Sequence, residues 1–293
     1  MGEVERRANG GGKKTRLFCL SGGGLPGLDI HAGILLALQE AGIEATALAG
    51  TSAGAVAAAF DACGLSATAY AEFLRGLSDI DARRERFLWK LRAPWISWWL
   101  DPEPVKALIA RFVPPDWESI EKPLQVFATD AKTFDLRVFS AVSREVGPRE
   151  AVLASLSISG VFPAVRTARG LCIDGGVRAN LPLPGDWMEY DELWLLVATP
   201  PVDYAKQHGL LTLLMRNVHA LMRDQILDVL DLTKQRNPAM PKVVTIWPKC
   251  GGDRGALHFS HSLIDTAREQ ARQIIWATDQ WARELAQKRI KPS

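Results

Sequence analysis

The chain has 293 residues, 47% of them apolar, and its 35 Lys and Arg side chains against 33 Asp and Glu leave a net charge of +2. That balance excludes the basic footprint of a nucleic-acid binder, while the apolar fraction suffices for a large buried core. Four scattered cysteines, Cys19, Cys63, Cys172 and Cys250, exclude a disulfide framework or a structural zinc site and point to a reducing, cytoplasmic setting.

Residues 1–14, MGEVERRANGGGKK, are polar and glycine-rich with no apolar h-region, so they read as a flexible leader rather than a signal peptide. No apolar run reaches the roughly 18 residues that a membrane span needs. Arg16–Leu20 is a short apolar run ending in the glycine cluster Ser21-Gly22-Gly23-Gly24-Leu25-Pro26-Gly27. Residues 30–41 repeat apolar side chains at helical spacing and stop at Gly42. A second unit follows the same plan: a small-residue strand over 45–49, the turn Gly50-Thr51-Ser52-Ala53-Gly54, and an alanine-rich helix over 53–62.

Residues 66–112 read as helical, interrupted by Pro94, Pro102 and Pro104. Strands are expected at 124–129 and 136–140, a helix at 148–157, and a short strand at 171–173 that delivers Asp174-Gly175-Gly176. Residues 192–198 and 243–246 are further strands, and two long helices span about 210–236 and 263–289. The second of these places Ile264, Ala267, Ala271, Ile274, Trp281 and Leu285 near one face. Alternating strands and helices without a repeat or linker imply one α/β domain over 15–293, a three-layer α/β/α sandwich with a mostly parallel central sheet.

Gly50-Thr51-Ser52-Ala53-Gly54 has the context of a nucleophile elbow, a strand before it and a helix after it. Gly50 and Gly54 clear room for the sharp turn, and the helix N-terminus favours negative charge developing near Ser52. The bland alternative makes Ser52 a helix N-cap. The loop Gly22, Gly23 and Gly24, at the end of the preceding strand, brings backbone N–H groups close enough to hold an oxyanion. Gly22-x-Gly24-x-x-Gly27 also fits a dinucleotide fingerprint, with Glu44 seventeen residues on as the ribose ligand, which would make the protein an oxidoreductase.

A serine needs a base. Asp174 can act on it directly, or the order Ser52, Asp174, then His258 or His261 can form a triad. The bland alternatives are an Asp-Gly turn for Asp174 and capping or surface roles for the histidines.

Taken in order, SGGGLPG, GTSAGA and IDGGVRANLP resemble the three main blocks of the patatin-like phospholipases. Secondary matches are LLALQEAGI, FATDAKTFD at 127–135 and ASLSISGVFPAV at 154–165, with HFSHSLID at 258–265 more loosely. The resemblance implies a three-layer α/β/α fold and a Ser-Asp dyad, Ser52 as nucleophile and Asp174 as base. It implies an oxyanion hole from the N–H groups of Gly22, Gly23 and Gly24, and hydrolysis of lipid acyl esters with neither metal nor cofactor. A catalytically silent lipid-binding relative is the other outcome within the family. The chain departs from the pattern at Pro26, where the family loop carries Arg or Lys, in a segment before Gly33 one residue longer than usual, and at Gly160, where proline is usual.

Residues 83–100, RRERFLWKLRAPWISWWL, combine five basic side chains with Trp89, Trp95, Trp98 and Trp99. Tryptophan beside cations suits a membrane–water interface, so this segment is a candidate for peripheral membrane contact; the alternative is an aromatic helix packed over the core.

Overall fold

The computed structural model of the chain describes residues 14–78, 102–199, 210–233, 241–250 and 259–290, with 210–219 and 281–290 by backbone alone. The expectations for the leader up to residue 13, for residues 83–100, for His258 and for the side chains of Trp281 and Leu285 lie outside the described residues. Eight strands are described: β1 (Arg16–Leu20), β2 (Ala47–Thr51), β3 (Leu124–Asp130), β4 (Leu136–Phe139), β5 (Val165–Thr167), β6 (Gly170–Asp174), β7 (Glu192–Leu196) and β8 (Lys242–Ile246). The helices are α1 (Gly24–Glu40), α2 (Ala53–Ala62), α3 (Ala67–Arg75), α4 (Glu103–Ala110), α5 (Pro148–Ser155), α6 (Leu210–Thr233) and α7 (Ser262–Ile290).

All eight strands form one sheet, paired in the order β5-β6-β3-β2-β1-β7-β8 with β4 added to β3. The pairs among β3, β2, β1, β7 and β8 are parallel, and those of β3 with β4, β3 with β6 and β5 with β6 are antiparallel. Side chains alternate between the faces of a strand, and here both faces are apolar. Leu17, Cys19, Leu193 and Leu195 point one way, onto Leu181 and onto Ile226 and Leu230 of α6. Phe18, Leu20, Trp194 and Leu196 point the other way, into the core shared with α1, α2, α5 and α7. Helices thus cover both faces, and the fold is the α/β/α sandwich expected from the sequence. Among the described residues no helix is long and apolar enough to cross a membrane.

Helix α1 begins six residues before the periodic stretch at 30–41 and takes in Pro26. Proline is tolerated in a first turn because the N–H groups there have no intrahelical partner. The helix is buried from Pro26 to Leu38, so it carries little amphipathic signal. Strand β2 likewise sits two residues later than the apolar run suggests, ending on Thr51 against the elbow.

Candidate active site

Ser52 stands between β2 and α2 with φ 53° and ψ −122°, a left-handed conformation that non-glycine residues adopt at a cost of about 1–3 kcal/mol. The flanking glycines explain why this turn can close. A Cβ on Gly54 would lie 2.2 Å from the Leu20 carbonyl oxygen, and one on Gly50 would lie 2.5 Å from the Gly54 carbonyl oxygen. The Ser52 hydroxyl makes no capping bond to α2, so the N-cap alternative fails. It donates instead to Asp174 Oδ2 at 2.6 Å. The backbone N–H of Ser52 donates to Ser155 Oγ at 2.8 Å, and that hydroxyl donates onward to the Phe127 carbonyl at 2.6 Å.

The register of β3 explains why Ser52 and Asp174 meet. Val126–Thr129 pair with β4 on one edge, so β2 and β6 must share the other edge. There Thr51 lies opposite Phe127 and Asp174 opposite Ala128, adjacent positions on β3. One strand runs parallel to β3 and the other antiparallel, so their C-terminal ends arrive head to head. The residues leaving those ends are the elbow serine and the aspartate.

Asp174 is buried, and desolvation pushes its carboxyl up to about 6 against the opposing pull of hydrogen bonds from Ser52 and Gly176. Its Oδ1 accepts from the Gly176 N–H at 2.7 Å. The Asp-Gly turn is therefore real as well: one carboxylate oxygen caps the turn while the other faces the serine.

The glycine loop follows β1, which runs parallel to β2, so loop and elbow share the carboxyl end of the sheet. A Cβ on Gly22 would lie 3.4 Å from Ser52 Cβ. Gly22 leaves the expected trio of oxyanion donors, because its N–H donates to the Asn180 carbonyl at 2.9 Å. The N–H groups of Gly23 and Gly24 have no partner among the described residues. Gly23 presses so closely on β7's exit that a Cβ there would lie 2.3 Å from the Ala198 carbonyl oxygen.

Glu44 does not serve as a ribose ligand. It precedes β2, while the glycine loop follows the parallel β1, so the two lie at opposite ends of the sheet. His261 is held away from Ser52: its Nδ1 faces Asp29 Oδ1 at 2.9 Å and its Nε2 donates to the Leu77 carbonyl at 3.0 Å. Both ring nitrogens are thus engaged with Asp29 and Leu77, leaving neither directed at Ser52 as its base. Gly160 adopts φ +82°, which a proline ring cannot reach, so the loop after α5 takes a different turn from the one proline would build.

A narrow cleft of about 80 Å³ begins at Ser52 and Gly24 and continues along Val56, Leu74, Leu108 and Phe112. Its lining is apolar apart from Ser52. Three residues around the site escape sequence reasoning. Ser155 and Asn180 fall within recognisable blocks but carry no signal of their own, and Thr199 follows β7 with none.

Known proteins resemble this chain in sequence and in fold. An uncharacterized NTE family protein of Mycobacterium tuberculosis is 30% identical over 185 residues, which is 62% of this chain but 29% of that relative's length. The structure of VipD from Legionella pneumophila superposes with a TM-score of 0.52 at 14% identity, covering 91% of this chain and 67% of VipD, a likeness of fold. Residues 18–187 match the patatin-like phospholipase model, more than half of the chain, and the chain belongs to that family.

Proposed function

We propose that the protein hydrolyses the acyl esters of lipids through an acyl-Ser52 intermediate, with Asp174 as the only base. The observation that carries this reading is the 2.6 Å hydrogen bond from Ser52 Oγ to a buried aspartate, without a histidine between them. A carboxyl raised to about 6 is a better base near neutral pH than an ordinary aspartate. Asp174 takes the hydroxyl proton as Ser52 Oγ attacks the ester carbonyl carbon, and the carbonyl oxygen gains the negative charge. The N–H groups of Gly23 and Gly24 are the donors for that oxyanion, in place of the basic side chain that Pro26 replaces. As the intermediate collapses, the alcohol leaves with the proton from Asp174. Water then attacks the acyl-serine with Asp174 again accepting a proton, and that proton passes to Ser52 Oγ as the fatty acid departs.

Substrate access is proposed to involve peripheral membrane contact through residues 83–100. The described residues on either side of that stretch, Leu77 and Val105, both line the apolar cleft.

A fluorophosphonate probe tests the nucleophile: it should add mass at Ser52 and spare Ser52→Ala. Asp174→Asn should abolish turnover of a lipid ester, whereas His258→Ala and His261→Ala should keep it. A folded protein that the probe leaves unlabelled, or activity that depends on a histidine and survives Asp174→Asn, would sink the reading.

A further inference from the structure

The Gly22 carbonyl is held by two buried hydroxyls. Ser21 Oγ donates to it at 2.9 Å and Thr199 Oγ1 at 3.1 Å. Each hydroxyl is itself anchored: Ser21 Oγ accepts from the Ala198 N–H at 2.9 Å, and Thr199 Oγ1 accepts from Asn180 Nδ2 at 3.2 Å. Asn180 also accepts the Gly22 N–H through its own carbonyl, and its N–H donates to Gln225 Oε1 of α6 at 2.9 Å. Thr199 has one hydroxyl hydrogen, directed at Gly22, so only the nitrogen of the Asn180 amide can bond it. Asn180 Oδ1 is left buried with no partner among the described residues, a cost that the amide's orientation toward Thr199 imposes.

The consequence lies one atom further along the chain. In a planar trans peptide the N–H of one residue points opposite the carbonyl of the residue before it. Fixing the Gly22 carbonyl from two sides therefore fixes the direction of the Gly23 N–H. That N–H has no partner among the described residues, and Gly22 itself lies against Ser52. We infer that Ser21, Thr199 and Asn180 are positioning residues that aim the Gly23 N–H as an oxyanion donor before substrate arrives. The inference rests on the acyl-hydrolase reading above. None of the three touches the reacting atoms; each acts through the peptide that joins Gly22 to Gly23. Such preorganisation favours the transition state and leaves ground-state binding nearly unchanged.

Thr199→Val keeps the shape and removes the hydroxyl. On a short p-nitrophenyl ester it should lower kcat about tenfold with KM within about twofold, part of the 10²–10³ that a whole oxyanion donor is worth. Binding of a trifluoromethyl ketone, whose serine adduct places an oxyanion in the same site, should weaken by the same factor as kcat. Thr199→Ser should restore both, and Ser21→Ala should repeat the effect independently should the valine variant fail to fold. The pH midpoint of activity should stay in place, since Asp174 is untouched. Unchanged kcat and inhibitor binding in folded Thr199→Val or Ser21→Ala would overturn the inference while leaving the hydrolase reading intact. A wild-type protein that is neither labelled at Ser52 nor active on any ester would overturn both.

Discussion

Asp174 sits at a conflict between folding and chemistry. Burial raises its carboxyl to about 6, so the folded protein binds this proton more tightly than the unfolded chain does. The ionised form, which in the proposed mechanism accepts the serine proton, is therefore the form the fold disfavours. Above pH 6 the ionised carboxylate costs stability, and the cost fades as the pH falls from 6 toward 4. Two outcomes are expected of the same residue. The kcat/KM of the wild type should rise with pH through a single ionisation near 6 and level off above it. Asp174→Asn should be inactive yet more stable than wild type by up to about 3 kcal/mol at pH 8, the free energy of a shift of this size, with the gain vanishing near pH 4. Urea unfolding at the two pH values reads the difference. A variant less stable than wild type at pH 8 would mean that the carboxylate is held for structure and not strained for catalysis.

At the scale of elements, α2 serves as the axis along which the apolar cleft is built. Ser52 stands at its start, Val56 lines the cleft one turn on, and Phe60 lies a further turn along. The Phe60 ring packs on Phe112 at 4.9 Å and on Phe73 at 6.0 Å, two of the residues that line the cleft, about 12 Å along the helix from Ser52. On the proposed reading, an acyl chain bound in the cleft would run from Ser52 toward those rings. Each methylene it buries is worth about 0.8 kcal/mol, roughly fourfold in kcat/KM. Across a series of p-nitrophenyl esters from butyrate to palmitate, activity should climb and then level where the chain meets the aromatic floor. Phe112→Ala should move that limit to longer chains, and Val56→Phe should move it to shorter ones. Identical profiles for all three proteins would place the acyl group elsewhere. The elements themselves are largely legible as sequence. Leu17 to Leu20 and Leu193 to Leu196 read as fully apolar strands because both faces of the sheet are covered. Val165–Thr167 does not, since three residues show no alternation and the strand exists only because Gly170–Asp174 folds back beside it. Ser52 and Asp174 are legible because glycines crowd around close backbone approaches. Ser155, Asn180 and Thr199 are not, because hydroxyls and amides are common everywhere and their partners here come from distant parts of the chain.

The whole molecule extends well past the family match that ends at residue 187. Strand β7 pairs with β1 along its full length, β8 extends the sheet beyond it, and α7 returns to lie on α1. The α1–α7 crossing is closed at Gly33, where a Cβ would lie 2.3 Å from the Ile264 carbonyl oxygen and 2.7 Å from the Arg268 N. Around it, Arg268 and Arg272 pair with Glu40, and Arg75 with Asp265. Asp29, buried in α1, accepts the Ser260 N–H at 2.7 Å just before α7 begins. The helix carrying the glycine loop is thus seated from the far end of the chain. Gly33→Ala tests that seating, because both close neighbours are backbone atoms that no rotamer change can move. Overpacking of this kind costs about 1–3 kcal/mol, which for a chain of this size lowers Tm by roughly 2–4 °C per kcal/mol. Gly185→Ala is the matched control: a Cβ there meets nothing within 4 Å, so its melting curve should overlay the wild type. If Gly33→Ala overlays it too, α7 does not hold α1 rigidly, and the loop that leads into α1 must take its order from β1 and β7 alone.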